Sequence, residues 1–283
     1  MSDFISPVPV ISEEEFQKFR DFFYRKTGIF FEDGKRYFVD KRLIDRIVAT
    51  GSENFRDYFV TLRFQASGAE LQTLINLMTV NETYFFREEY QFQCMVGSLL
   101  PEITRHRRRD DTIRIWSIPS SSGEEPYSIA IYLLEHWPSV DEYNIELVAS
   151  DIDTQILARA RQGIYDTRST SHLPEILRNK YFKDLGGGRR EISSDIKDSV
   201  EFTQVNLADL THMRAYRGFD LIFCRNLLIY YDDDSRRVAA EALFSALKPG
   251  GFICLGHSES MNRITSLFTV RKFPEAIVYQ KPL

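Results

Sequence analysis

Ser121-Ser122-Gly123-Glu124-Glu125-Pro126-Tyr127-Ser128-Ile129 lies between a strand-like apolar stretch, Ile113-Arg114-Ile115-Trp116-Ser117, and a helical pattern running to about His136. A strand, a tight loop of small residues and a helix start frame a nucleotide-type cofactor site, because the first N–H groups of a helix have no partner inside it. This loop ends in two carboxylates. Acidic side chains suit the positive end of a helix dipole, but they repel a pyrophosphate. The loop therefore suits a cofactor that brings positive charge and no phosphate. S-adenosylmethionine, with an ammonium and a sulfonium, meets that requirement.

Outward from this loop the pattern alternates. Strands are expected at 113–117, 145–150, 200–205, 219–224 and 252–256, and helices at 91–107, 124–136, 154–162 and 233–247. Such alternation implies an α/β domain with a parallel sheet covered on both faces. Lys248-Pro249-Gly250-Gly251 reads as a sharp turn. Leu267–Arg271 and Ala276–Gln280 read as a closing hairpin, and a seven-stranded sheet ending in this way resembles the class I methyltransferase fold. The stretch 164–199, with Gly186-Gly187-Gly188, breaks the alternation. It reads either as an inserted antiparallel β-element or as a long surface connection.

Residues 12–78 read instead as four helices. Ser12-Glu13-Glu14-Glu15 has the form of a capping box, followed by Phe16, Phe19, Phe22 and Phe23 at helical spacing. The second helix, 35–49, places Lys35, Arg42 and Arg46 on one face. That basic stripe fits either a solvated face or docking to an acidic partner.

The bulk composition excludes several classes. Of 283 residues, 36 are Lys or Arg and 41 are Asp or Glu, so the net charge of −5 provides no global field for nucleic acid. Cys94, Cys224 and Cys254 are widely spaced, show no metal-ligand pattern and suit a reduced, cytoplasmic protein. Met1-Ser2-Asp3-Phe4 lacks the basic and apolar regions of a signal peptide, and no stretch is apolar enough for membrane insertion. No metal site is expected among the five histidines. His257 falls at the active edge, but no GxSxG elbow accompanies it, so hydrolysis is a poor reading.

In open α/β sheets, ligands bind beyond the carboxyl ends of the strands. After the first strand, Glu124 or Glu125 suits the cofactor ammonium, although Ser122-x-x-Glu125 also fits a helix cap. After the second, Asp151 suits ribose hydroxyls, while Asp153 suits a helix N-cap. After the third, Asn206 and Leu207 offer an amide or a backbone N–H to an adenine edge; a turn Asn fits equally. After the fourth come Arg225 and Asn226, then Tyr230 and Tyr231, which also read as packing aromatics. In Thr79–Glu88, Asn81, Thr83 and Arg87 suit a cleft lining anchored by Phe85 and Phe86, or a structural hinge.

Five segments, in order, resemble CheR, the chemoreceptor glutamate methyltransferase family: Asn81–Glu88, Ser122–Ala130, Ser150–Asp153 on to Tyr165, Phe223–Asn226 on to Tyr230, and Gly256–Glu259. The resemblance implies a helical receptor-docking domain at 1–78, a linker at 79–90 that contributes to the cofactor site, a methyltransferase domain at 91–283 and a β-subdomain inserted at 167–203. It implies S-adenosylmethionine contacts from Asn81, Thr83, Arg87, Glu125, Asp151, Asn206, Leu207, Arg225 and Asn226, with Arg87 and Tyr230 beside the transferred methyl and the incoming carboxylate. It also implies that the basic helix, through Lys35, Arg42 and Arg46, meets the acidic methylation region of a chemoreceptor's cytoplasmic helical bundle. The chain departs from the family at Ile118-Pro119-Ser120 and Ser122, where Ala, Gly or Cys and then Thr are usual. Its Leu185–Glu191 turn is short, which implies independence from a receptor C-terminal pentapeptide tether, and no appended repeat domain is expected after Leu283. Methyl transfer to another substrate such as RNA, or a non-catalytic cofactor-binding module, fits the same loop.

Overall fold

A computed structural model of the chain describes residues 10–283, so Met1–Phe4 lies outside the described residues. The chain forms two compact units, the first ending at Val80 and the second running from Asn81 to Leu283.

The first unit holds α1 (Glu13–Thr27), α2 (Arg36–Thr50), α3 (Phe55–Phe64) and α4 (Ala69–Met78). The capping box forms: Glu15 N donates to Ser12 Oγ at 3.2 Å, and Ser12 N donates to Glu15 Oε2 at 2.8 Å. Phe16, Phe19, Phe22 and Phe23 are buried as the spacing requires.

The basic stripe of α2 differs from the expectation. Arg46 forks onto Glu70, Nε to Oε1 at 2.8 Å and Nη2 to Oε2 at 2.7 Å, and Tyr58 donates to the same Oε1. Arg42 donates to the Leu77 carbonyl and lies 3.4 Å from the Phe38 ring centroid. A carboxylate as buried as Glu70, 7% exposed, needs a paired cation. The long Arg46 stem reaches inward to supply it. Lys35, just before the helix, is exposed, together with Tyr37, Lys41 and Val48 on it.

The second unit opens with α5 (Tyr90–Cys94), a π-helical segment Met95–Leu99 and α6 (Leu100–Thr104). The sequence suggested one regular helix over 91–107. Pro101 has no N–H to continue the α ladder, and the wider turn stands just before it. There follow β1 (Thr112–Ser117), α7 (Glu124–His136), β2 (Asn144–Asp151), α8 (Thr154–Gln162), β3 (Ile164–Asp166), α9 (Glu175–Tyr181), β4 (Phe182–Gly186), β5 (Arg189–Ile192) and α10 (Ser194–Asp198). The remainder is β6 (Val200–Gln204), α11 (Leu210–Met213), β7 (Phe219–Cys224), α12 (Asp233–Ala246), β8 (Leu247–Leu255), β9 (Thr269–Lys272) and β10 (Ile277–Gln280).

The large sheet has the order β6-β2-β1-β7-β8-β10-β9, with the first five strands parallel and β10 antiparallel to both neighbours. This is the expected seven-stranded α/β sheet closed by a hairpin. Every residue of β7 is buried, as a strand covered on both faces must be. The chain order reverses between β1 and β7, so the crevice beyond their carboxyl ends is the switch point.

Lys248-Pro249-Gly250-Gly251 forms an extended bulge inside β8 and not a turn before it. The register moves from Phe219↔Leu247 to Leu221↔Phe252, two steps on β7 against five on β8. The freed backbone groups pair with the C-terminal segment: Gly250 N donates to Lys281 O, and Lys281 N to Gly251 O. A separate three-stranded antiparallel sheet, β3-β5-β4, begins at Ile164, while β6 belongs to the large sheet.

Candidate active site

The start of the loop after β1 is held through its backbone N–H groups. Ser120 N donates to Ser150 O at 2.7 Å, and Ser121 N to Asp151 Oδ2 at 2.8 Å. Ser121 takes a φ of +48°, and Gly123 at +95° opens α7. A Cβ on Gly123 would stand 3.0 Å from the Tyr127 ring and from the Tyr165 hydroxyl, so only glycine fits. Ser120 Oγ and Ser121 Oγ are buried without a partner. Buried hydroxyls are normally paired, so two orphans in one loop point to a ligand there.

Strain marks the same edge. Of the five non-glycine residues with positive φ among the described residues, Phe86, Glu88, Ser121 and Asn226 belong to segments that meet at it. Such conformations concentrate at functional sites.

Asp151 ends β2. Its Oδ2 accepts from Ser121 N, and its Oδ1 accepts from Asp153 N at 3.0 Å. Burial pushes its pKa up to about 6, against backbone donors that lower it. Asp153 caps α8, accepting from Gln155 N and Ile156 N, and also receives Asn81 Nδ2 at 2.9 Å. The Asn81–Glu88 strap is thereby tied to the β2 edge.

The two carboxylates of α7 have different surroundings. Glu125 accepts from Ser117 Oγ at 2.8 Å and from Arg225 Nη1 at 2.9 Å. Arg225, 4% exposed, also donates to the Arg87 carbonyl at 2.6 Å and lies 3.4 Å from Glu88 Oε2. It bridges β7, α7 and the strap. Glu124 is turned into the fold, accepting from Ser122 Oγ at 2.6 Å and Ser169 Oγ at 2.7 Å. Burial raises the pKa of both carboxyls.

The remaining predicted residues flank this cluster. Thr83 is half-buried on the strap. Arg87 is half-buried, donates to Glu82 O at 2.9 Å and lies 5.8 Å over the Tyr84 ring. Asn206 Oδ1 accepts from Ala208 N at the end of β6, and Leu207 is buried beside it. Asn226 follows Arg225 at the end of β7. Tyr230, 37% exposed, sits on a 3-10 turn, Leu228–Tyr230, whereas Tyr231 is buried. The Arg87 guanidinium and the Glu82 carboxylate act on the Tyr230 hydroxyl in opposite directions, after burial as the largest cause of its raised pKa. Lys35, Arg42 and Arg46 belong to the other unit.

Three participants had no role in the sequence reading. Glu88 completes the carboxylate set around Arg225. Ser169 fixes Glu124, and no motif pointed to it. Glu259 accepts the backbone N–H groups of Asn226, Leu228 and Gly256; its run was visible, but its function was not.

This donor set fits S-adenosylmethionine. Glu125 and Asp151 retain lone pairs for an ammonium and for ribose hydroxyls, the orphan serines face the same loop, and nothing there suits a pyrophosphate. Among the described residues no group of side chains is arranged to hold a metal ion.

Family comparison agrees. The CheR methyltransferase SAM binding domain matches residues 81–277, and the CheR methyltransferase all-alpha domain matches residues 14–79. Chemotaxis protein methyltransferase 2 of Vibrio cholerae is 55% identical over 273 residues, covering 96% of this chain and 94% of that protein. Chemotaxis protein methyltransferase 2 of Pseudomonas aeruginosa is 36% identical, covering 88% of this chain and 87% of that protein. The chemotaxis protein methyltransferase of Salmonella typhimurium is 35% identical, covering 92% and 88%. With both of its domains matched and S-adenosylmethionine as its cofactor, the chain belongs to the CheR methyltransferase family.

Proposed function

We propose that the chain methylates glutamate side-chain carboxylates of chemoreceptors, giving glutamate methyl esters and S-adenosylhomocysteine for sensory adaptation. The observation that carries this reading is the buried Glu125–Arg225 pair at the switch-point edge, tied through the Arg87 carbonyl to the Asn81–Glu88 strap, in a chain from this family.

The chemistry asks little of the protein. A glutamate carboxyl with a reference pKa of about 4.3 is ionised and nucleophilic at neutral pH, so no general base is required. Bound S-adenosylmethionine supplies an electrophilic methyl on a sulfonium leaving group. The residues of the chain orient the acceptor and exclude water. Arg87 attracts the incoming carboxylate without burying it in a tight bidentate pair, which would quench its nucleophilicity. Burial raises the pKa of the Tyr230 hydroxyl, so it stays protonated at neutral pH and donates to the acceptor. Asn81, Thr83, Glu125, Asp151, Asn206, Leu207, Arg225 and Asn226 hold the cofactor. Glu124 supports the loop through Ser169.

The receptor's helical bundle is the proposed partner, engaged through the helical unit with α2 as its docking helix. Arg42 and Arg46 are committed within the unit, which leaves Lys41 on α2, and Lys35 just before it, as exposed cations. The turn joining β4 to β5 is only Gly187-Gly188, in line with a tether-independent enzyme. No helix among the described residues is long and apolar enough to cross a membrane, which suits the proposed cytoplasmic site.

The test is mass spectrometry of receptor peptides after incubation with the purified chain and cofactor. Methyl esters on glutamate support the reading; modification confined to any other atom defeats it. Tyr230→Phe is expected to lower kcat by roughly 10- to 100-fold, the value of one hydrogen bond to a charged group. Full turnover of Tyr230→Phe at saturating receptor would remove the hydroxyl from the mechanism.

A further inference from the structure

We infer that Glu259 is a positioning residue for methyl transfer, holding the Asn226–Tyr230 turn in its working conformation; this rests on the proposed roles of Asn226 and Tyr230. One carboxylate accepts three backbone donors. Oε2 receives Asn226 N and Gly256 N, and Oε1 receives Leu228 N, each at 2.8 Å. A carboxylate is acceptor-only, so it alone can take all three N–H groups without presenting a donor of its own.

The location gives this staple its consequence. Asn226 has a φ of +57°, in the left-handed region that Asn enters more readily than most non-glycine residues but still at a cost that fixed backbone partners offset. Leu228 begins the 3-10 turn that carries Tyr230. Its N–H is an orphan donor of that turn, so Glu259 caps the turn from a distant part of the chain. Glu259 therefore fixes both the backbone at the strained Asn226 and the start of the turn that aims Tyr230. Gly256 leaves room for the clamp: a Cβ there would lie 2.8 Å from Asn226 Nδ2 and from Glu259 Oε2, and 2.9 Å from Asn226 N. Glu259 is only half-buried, so it does not act by filling core space.

The test compares wild type, Glu259→Gln, Tyr230→Phe and the double variant. Glu259→Gln puts a donor among three donors. Its kcat is expected to fall roughly 10- to 100-fold, the range for losing charge-assisted hydrogen bonds, with receptor KM within about threefold. Hydrogen exchange of the unliganded protein is expected to speed up at Asn226, Leu228 and Gly256 and not elsewhere. The double variant is expected to lose less than the product of the single losses, because the two residues act on one element. Wild-type turnover in Glu259→Gln, or single losses that multiply, would overturn the inference. If wild type labels no receptor, the functional reading fails separately. Unchanged exchange at the three amides would then overturn the staple itself.

Discussion

Replacing Arg225 with methionine removes the cation that pairs with Glu125 and Glu88 in the interior of the second unit. The arginine side chain is 2% exposed, Glu125 is 12% and Glu88 is 16% exposed, so solvent does little to compensate. Breaking a buried pair by removing one partner costs about 3–5 kcal/mol, because the remaining charge is left uncompensated. For a unit of this size that corresponds to a fall in melting temperature of roughly 6–20 °C. The sign with pH follows from Glu125. Burial already raises its pKa, and Arg225 is the largest influence pulling it back down. Without Arg225, the folded protein favours protonated Glu125 more strongly, so the variant's deficit relative to wild type is smallest at low pH and grows as pH rises toward 8. Pairing Arg225→Met with Glu125→Gln is expected to recover part of the loss, since the buried charge goes with its partner. The assay is thermal unfolding at several pH values, scored as variant minus wild type. A deficit that is the same at pH 5 and pH 8, or no deficit, would refute the argument that this pair is an interdependent buried ion pair.

Two other predictions concern the cofactor loop. In its proposed role of holding ribose hydroxyls, Asp151, with its pKa pushed up to about 6, acts best when ionised. Calorimetric affinity for S-adenosylhomocysteine should therefore rise from pH 5 to pH 7 and level off, and Asp151→Asn should bind more weakly with a flatter profile. Asp151 alone affects folding in the opposite sense: its folded pKa lies above the ordinary value of 3.8, so its contribution to stability declines as pH rises between that value and about 6. Gly123→Ala places a Cβ 3.0 Å from Tyr127 and Tyr165 at a φ of +95°, and should cost about 1–3 kcal/mol along with most cofactor affinity. A fully folded Gly123→Ala protein with wild-type affinity would show that the loop is not constrained as described.

The fold was legible because its signals are local and strong. The alternation of apolar strands with amphipathic helices placed α7, α8 and β7, and the capping box placed α1. Missed features needed information that periodicity does not carry. The π segment before Pro101 and the bulge at Lys248–Gly251 preserve the apolar pattern while changing hydrogen-bond register. In the site, Asp151 and Glu125 were visible because strand ends and helix starts are marked in the sequence. Glu259 and Ser169 were not, since they act across 33 and 45 positions of chain through contacts that only folding creates. The α2 stripe shows the opposite limit. A helical wheel puts Arg42 and Arg46 together, but it does not reveal that Glu70, on another helix, claims one of them.

The most direct test of the account is methyl transfer from radiolabelled S-adenosylmethionine to chemoreceptor-containing membranes of the source organism, followed by mild alkali. The account predicts label on a receptor-sized band that alkali releases as methanol, the signature of a carboxyl ester. Alkali-stable label, or cofactor binding without any transfer across several receptors, would contradict it.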